Sequence, residues 1–285
     1  LENHFAANAR SDNFKIHTFK IKIVNLPGKI KSMKKFLIIP GIVIILLIIT
    51  WLIIDSHRIK TRQSAEIKRE FAMDSAFARD DLADLPLLYY KSPQSQTDYF
   101  IIMISGDGGW RDFIDTLSAS LAKKGIPVVG FNTIPYFSDT KSPARIAHDL
   151  ERVIKNFSHV WKKQKVILGG YSFGAEILPF VYNKMDTAFQ KNVEKVMMIA
   201  PSNLADFKVS PVYYYNPAYS KPVLPELNKV PPDKVLVFCD KYKHSICKVL
   251  PDKVPYEVVR VKYGHMFSKK YDQMSDVVAN RLGVK

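Results

Sequence analysis

Gly170-Tyr171-Ser172-Phe173-Gly174 is a G-x-S-x-G pentapeptide. A serine on a tight turn between a strand and a helix can present its Oγ as a nucleophile. The flanking glycines let neighbouring backbone approach without a Cβ clash. Lys165–Gly169 (KVILG) before it reads as a buried strand, and Phe173 to about Met185 reads as a helix, so the motif falls in the context it requires. A serine hydroxyl needs a base to take its proton. In chains built this way the partners follow in the order Ser, then Asp or Glu, then His. His265 stands just after the last predicted strand and is the expected base, with His244 as its competitor. His148 and His159 read as surface residues of a helix. Asp240 stands two residues past the apolar strand Lys234–Phe238 and is the expected acid, ahead of Asp252 and Asp233.

Acyl transfer also needs donors aimed at the developing oxyanion. One is expected from the backbone N–H of Phe173. The second is expected from Ser105–Trp110 (SGDGGW), whose glycines free the N–H groups of Asp107 and Gly108. That loop is not a phosphate cradle, because neither G-x-x-x-x-G-K-[ST] nor a full G-x-G-x-x-G is present. Cys239 and Cys247, the only cysteines, flank the acid. They form either a disulfide that fixes Asp240 in an oxidising compartment or two free thiols. No C-x-x-C or H-E-x-x-H occurs, and no metal or organic cofactor is expected.

These residues need a framework. Tyr99–Ser105, Pro127–Asn132, Lys165–Gly169, Lys195–Ala200, Lys234–Phe238 and Tyr256–Val261 are short apolar runs. Helical patterns over Arg111–Lys124, Ser142–Trp161, Phe173–Met185 and Lys269–Leu282 alternate with them. Ser142-Pro143 is an N-cap followed by proline at the first helical position. Strands alternating with amphipathic helices predict an α/β fold with a mostly parallel sheet covered on both faces.

The remaining sequence concerns placement. Phe36–Ile54 is an uncharged apolar run, about 28 Å long as a helix, which suits one bilayer crossing. Asp55-Ser56-His57-Arg58 follows instead of a cleavage site, so an uncleaved anchor is expected. Met33-Lys34-Lys35 before it resembles a bacterial start, and residues 1–32 read as an extension of doubtful origin. The organisation expected is 1–32 extension, 33–55 transmembrane anchor, 56–85 charged stalk and 86–285 catalytic domain. The net charge of +15 points to an anionic surface. Without stacking aromatics among the basic residues or a nucleic-acid motif, a membrane is the expected partner and nucleic acid is not.

SGDGGWRDF, KGIPVVGFNTIPYF, GGYSFGAEILPFVYNKM, SNLADFKV, DKYKHSIC and YGHMFSKKYD together resemble the AcvB/VirJ family of bacterial virulence-associated proteins. The resemblance runs from about Leu85 to the C-terminus. It implies an α/β-hydrolase fold and hydrolysis of lysyl-phosphatidylglycerol in the periplasm; with the anchor read at 33–55, the domain is expected on the bacterial inner membrane, facing the periplasm. The family's serine falls on Ser172, its late histidine on His265 and its acid on Asp240; Glu176 stands where Asp is expected. The implied lysyl group carries two amines, for which Asp107 and Glu176 are candidate partners, with Trp110 as a further substrate contact. Two other classes stay open: a general carboxylesterase or lipase, and a non-catalytic module binding a secretion-system or envelope protein. The Pro- and Tyr-rich stretch within 203–230 reads as a cap over the site.

Overall fold

The computed structural model describes residues 82–92, 94–95, 97–209, 220–262, 264–265, 267 and 270–284, together with Thr50. The chain divides into residues 1–66 and 67–285. The expected anchor lies outside the described residues apart from Thr50, as does the expected stalk up to residue 81. Among the described residues no helix is long and apolar enough to cross a membrane.

In chain order the second unit runs β1 (Leu87–Tyr90), β2 (Tyr99–Ile104), α1 (Asp112–Lys123), β3 (Val128–Phe131), α2 (Thr133–Tyr136), α3 (Pro143–Trp161), β4 (Lys165–Tyr171), α4 (Phe173–Tyr182) and α5 (Thr187–Asn192). It continues with β5 (Val193–Ile199), β6 (Leu204–Ala205), β7 (Lys221–Pro222), α6 (Val223–Leu227), β8 (Val235–Cys239), β9 (Glu257–Arg260) and α7 (Tyr271–Arg281). Seven strands form one sheet in the order β1-β3-β2-β4-β5-β8-β9. Only β1 runs antiparallel to its neighbour. β6 and β7 form a separate ribbon.

Strand side chains alternate between faces, and an apolar run therefore feeds two cores at once. In β2, Phe100, Ile102 and Ile104 join the cluster containing Leu150 and Val153 of α3 and Ile177 of α4. Ile101 and Met103 join the opposite cluster, with Phe113 and Leu117 of α1 and Val278 of α7. Each such fully buried side chain contributes roughly 1.5–3 kcal/mol. The N-cap of α3 is Ser142, whose Oγ accepts from the Arg145 N–H at 3.2 Å, with Pro143 in the first turn. β1 is an element that periodicity did not reveal: four residues, LLYY, pair antiparallel at the sheet edge. Leu82 and Leu85, ahead of it, are buried in the α3-side core, and Asp84 pairs with Arg152 at 2.7 Å.

Cys239 closes β8 and is bonded to Cys247, with Cα atoms 5.9 Å apart. The loop they bracket carries Asp240, Tyr242 and His244. Cross-linking a loop this short removes unfolded-state entropy worth about 2.5 kcal/mol. Replacing both cysteines with alanine is expected to lower unfolding free energy by about that amount in denaturant titrations. Dithiothreitol should lower the wild-type midpoint in the same direction and leave the double variant unmoved.

Candidate active site

Ser172 occupies the turn from β4 into α4 with φ 51° and ψ −118°. A serine in that region stores roughly 1–3 kcal/mol of strain and needs its surroundings to hold it. Its N–H donates to the Ile199 carbonyl of β5 at 2.9 Å. The two motif glycines are required by space. A Cβ on Gly170 would lie 2.4 Å from the Gly174 carbonyl carbon, and one on Gly174 would lie 2.4 Å from the Ile104 oxygen. The start of α4 thus abuts the C-terminal end of β2, which carries the Gly-rich turn.

The structure brings Ser172, His265 and Asp240 together. His265 Nε2 lies 2.9 Å from Ser172 Oγ. His265 Nδ1 lies 2.7 Å from Asp240 Oδ2. A carboxylate can only accept, so Nδ1 carries the proton and Nε2 is left to accept from the serine hydroxyl. The Asp240 side chain is fully buried, whereas that of His265 is 26% exposed. The Tyr242 N–H donates to Asp240 Oδ1 at 3.2 Å. Tyr171 stacks on the His265 ring at 5.4 Å and donates its hydroxyl to the His265 carbonyl at 2.9 Å. Burial pushes the Tyr171 phenol up, and Asp240 and Asp107 reinforce the shift, so it remains a donor at neutral pH. Tyr242 packs on His265 at 5.0 Å.

His244 lies on the cavity wall and makes an edge contact with Tyr242. Asp233 is exposed ahead of β8, at the strand end away from Asp240, and Asp252 is exposed in a later loop. His148 and His159 are exposed on α3.

Ser172 opens into a cavity of about 480 Å³, lined among others by Asp107, Phe173, Glu176, Asp206, Tyr242, His244 and His265. Of the expected oxyanion donors, Phe173 and Asp107 border this cavity. Gly108 does not, and its Cα faces the Arg111 side chain. The Gly-rich turn is closed by the Gly109 N–H donating to the Gly106 carbonyl at 2.9 Å. Its position is fixed from β3: Asn132 Oδ1 accepts from the Trp110 N–H at 3.2 Å, and the Thr133 hydroxyl donates to the Gly106 carbonyl.

Trp110 corrects an expectation. It is not a substrate contact but a core residue, 6% exposed. Its indole lies over Gly130 so closely that a Cβ there would fall 2.5 Å from the ring, and its Nε1 donates to the Tyr90 hydroxyl at 2.7 Å. The open face of β3 at Gly130 draws the ring inward, away from the cavity. Glu176 is 8% exposed in the first turn of α4, and its Oε1 accepts from the Ser202 N–H at 3.1 Å. Burial pushes its carboxyl up to about 7, against the lowering effect of Ser202 and with help from Asp107 and Asp206. Asn203 to Val209 supply another wall, so the start of the expected cap borders the site. The tyrosine-rich residues 210–219 lie outside the described residues. Asp206, Ser202, Asn132 and Tyr242 lie in blocks that carry the family resemblance, but their spacing assigned them no role; they enter through contacts made across the fold. Among the described residues no three His, Cys, Asp or Glu side chains are grouped as metal ligands.

A mostly parallel sheet with a strained serine turn ending a central strand is the α/β-hydrolase fold. The sequence profile described as "Bacterial virulence protein (VirJ)" matches residues 98–285. The chain belongs to the VirJ family. No curated protein matches it. Among solved structures, Est1E from Butyrivibrio proteoclasticus with bound ferulic acid is 12% identical, with 70% of this chain and 94% of that one covered and a TM-score of 0.50. An α/β serine hydrolase homologue from Coxiella burnetii is 16% identical, with coverage of 69% and 90% and a TM-score of 0.46. XC6422 of Xanthomonas campestris, described as an α/β serine hydrolase without lid, is 15% identical, with coverage of 71% and 96% and a TM-score of 0.43.

Two outcomes test this VirJ-family site. Gly174→Ala is expected to abolish the folded state or lower its melting temperature by more than about 5 °C, because the clash is with backbone that cannot rotate away. Glu176→Gln keeps the acceptor for Ser202 and removes the buried charge. A carboxyl raised in the folded state destabilises the fold increasingly as pH climbs from 4.5 to about 7, where the penalty is complete. Glu176→Gln should therefore gain up to about 3 kcal/mol over wild type at pH 8 and little at pH 4.5, read from urea titrations at the two pH values.

Proposed function

We propose that the chain is a serine ester hydrolase that cleaves the aminoacyl ester of lysyl-phosphatidylglycerol, releasing lysine and phosphatidylglycerol. The observation that carries this reading is the Ser172–His265–Asp240 relay opening directly onto a cavity with carboxylates in its wall. His265 Nε2 takes the Ser172 proton as Oγ attacks the ester carbonyl, and buried Asp240 stabilises the imidazolium. The oxyanion faces the N–H groups of Phe173 and Asp107. Collapse breaks the acyl–oxygen bond, and His265 returns the proton to the departing glycerol oxygen. Water, deprotonated by His265, then attacks the lysyl-enzyme; lysine leaves and Ser172 recovers its proton. Asp107 and Glu176 favour the amine-bearing acyl group.

Family membership supports the substrate class, and the resemblance set out from the sequence supports its identity. Residues 33–55 anchor the enzyme in the inner membrane, with 56–85 as the stalk and the catalytic domain in the periplasm. The apolar run supports the anchor and the Cys239–Cys247 bond supports an oxidising compartment. Anchoring keeps the site at high effective concentration over its lipid.

Purified protein incubated with lysyl-phosphatidylglycerol vesicles should yield phosphatidylglycerol and free lysine on thin-layer chromatography. Ser172→Ala should lose more than about 1,000-fold of that rate while keeping its melting temperature. Turnover of simple acyl esters alone would replace the substrate with that of a general carboxylesterase. Inactivity on both would favour a module that binds an envelope or secretion protein.

A further inference from the structure

The cavity at Ser172 gathers carboxylates from three separate elements. Asp107 comes from the turn after β2, Glu176 from the first turn of α4, and Asp206 from the residue following β6. Asp107 and Asp206 stand near enough to Glu176 for both to oppose its ionisation. Gathering like charges around one buried acid works against folding, and the bond that Glu176 accepts from the Ser202 N–H accounts for only one of the three carboxylates. The chain as a whole carries net charge +15, so chance would place lysines here. Among the described lining residues Lys208, at the exposed rim, is the one Lys or Arg. A cationic ligand turns this mutual repulsion into attraction, and hydrogen bonds between charged partners in a partly dry cavity are the strong ones.

Asp206 is held for such a role. Its Oδ1 accepts from the Ser220 hydroxyl at 2.8 Å, across the β6–β7 ribbon. The carboxylate is thereby held by the side chain of the residue before β7, the strand that pairs with β6.

We infer that Asp206, acting with Glu176, binds an ammonium group on the acyl part of the substrate and so selects cationic acyl groups over neutral ones of similar length. This rests on the reading of the Ser172 cavity as a site of ester hydrolysis. It adds that acyl specificity is set from the β6–β7 ribbon, an element that carries none of the relay.

The test compares kcat/KM for the 4-nitrophenyl esters of lysine and of hexanoic acid, with Ser172→Ala as the blank. Asn at 206 keeps the acceptor for Ser220. Asp206→Asn is therefore expected to fold and to lower the lysine-to-hexanoate ratio by about 10- to 100-fold, chiefly through KM. Asp206→Glu should recover part of that ratio. An unchanged ratio in Asp206→Asn would overturn the inference and leave the hydrolase reading standing. Calorimetry with lysine ethyl ester on Ser172→Ala gives a readout independent of turnover. Adding Asp206→Asn should weaken that binding about 10-fold or more, and equal affinity would again overturn the inference. Wild-type rates no higher than the blank on both esters would sink the hydrolase reading itself.

Discussion

The contact on which the site depends is the approach of Gly174 to the carbonyls of Ile104 and Ser105. No side chain fits there, since a Cβ would sit 2.4 Å from one oxygen and 2.6 Å from the other. Because of it, α4 begins against the ends of two parallel strands, and every residue of α4 is buried. The turn into that helix has room only for a sharp reversal, which puts Ser172 at positive φ. The strain is supported by the Ser172 N–H bond to β5 and by apolar burial along the rest of α4. The same contact sets the N-terminus of α4 beside the Gly-rich turn. Residues of both elements, Phe173 and Asp107, therefore border one cavity, and the positive end of the helix points to the same region.

The strand before the turn serves the relay from its other side. Tyr171 and Ser172 are consecutive, so they leave the strand end in different directions. Ser172 meets the imidazole, while Tyr171 carries the ring stack and the hydroxyl bond that hold the backbone of the same histidine. Base and nucleophile are thus referred to a single point of the sheet. Asp240 is referred to the neighbouring region through β8 and the disulfide that closes its loop. With Asp240 fully buried and His265 partly open, the imidazole has one fixed partner and one side on the cavity.

What was legible in the sequence follows from local rules. Buried parallel strands are continuous apolar runs, and six of them were readable to within one or two residues at most ends. The serine turn was readable from its pentapeptide, in which Gly170 is required by the nearby backbone of Gly174, although Gly174 itself is required by the distant carbonyls of Ile104 and Ser105. The order of acid and base followed from strand counting. What was not legible depends on distant partners. Trp110 was expected as a substrate contact beside the glycine loop, yet its destination is set by Gly130, twenty residues onward and one strand over. β1 is too short and too near an edge to carry a period. Asp206 lies in SNLADFKV, which carries the family resemblance but no catalytic spacing, and its place on the cavity wall beside β6 is a matter of the fold. The expected anchor, Thr50 apart, lies outside the described residues.

Charge is divided between exterior and interior in opposite senses. The basic excess acts through solvent, is screened beyond about 8 Å at physiological salt, and under the proposed reading would draw the domain toward anionic headgroups. The carboxylates around Ser172 act at short range and, at Glu176, in a buried setting where screening is weak. An aminoacylated anionic lipid matches both: its phosphate suits the exterior and its ammonium groups suit the cavity. The unmodified lipid produced by cleavage matches only the exterior. Under the proposed reaction the loss of lysine therefore removes the short-range attraction at the moment of turnover while leaving the long-range one intact. Product would then leave the cavity without the domain leaving the membrane surface.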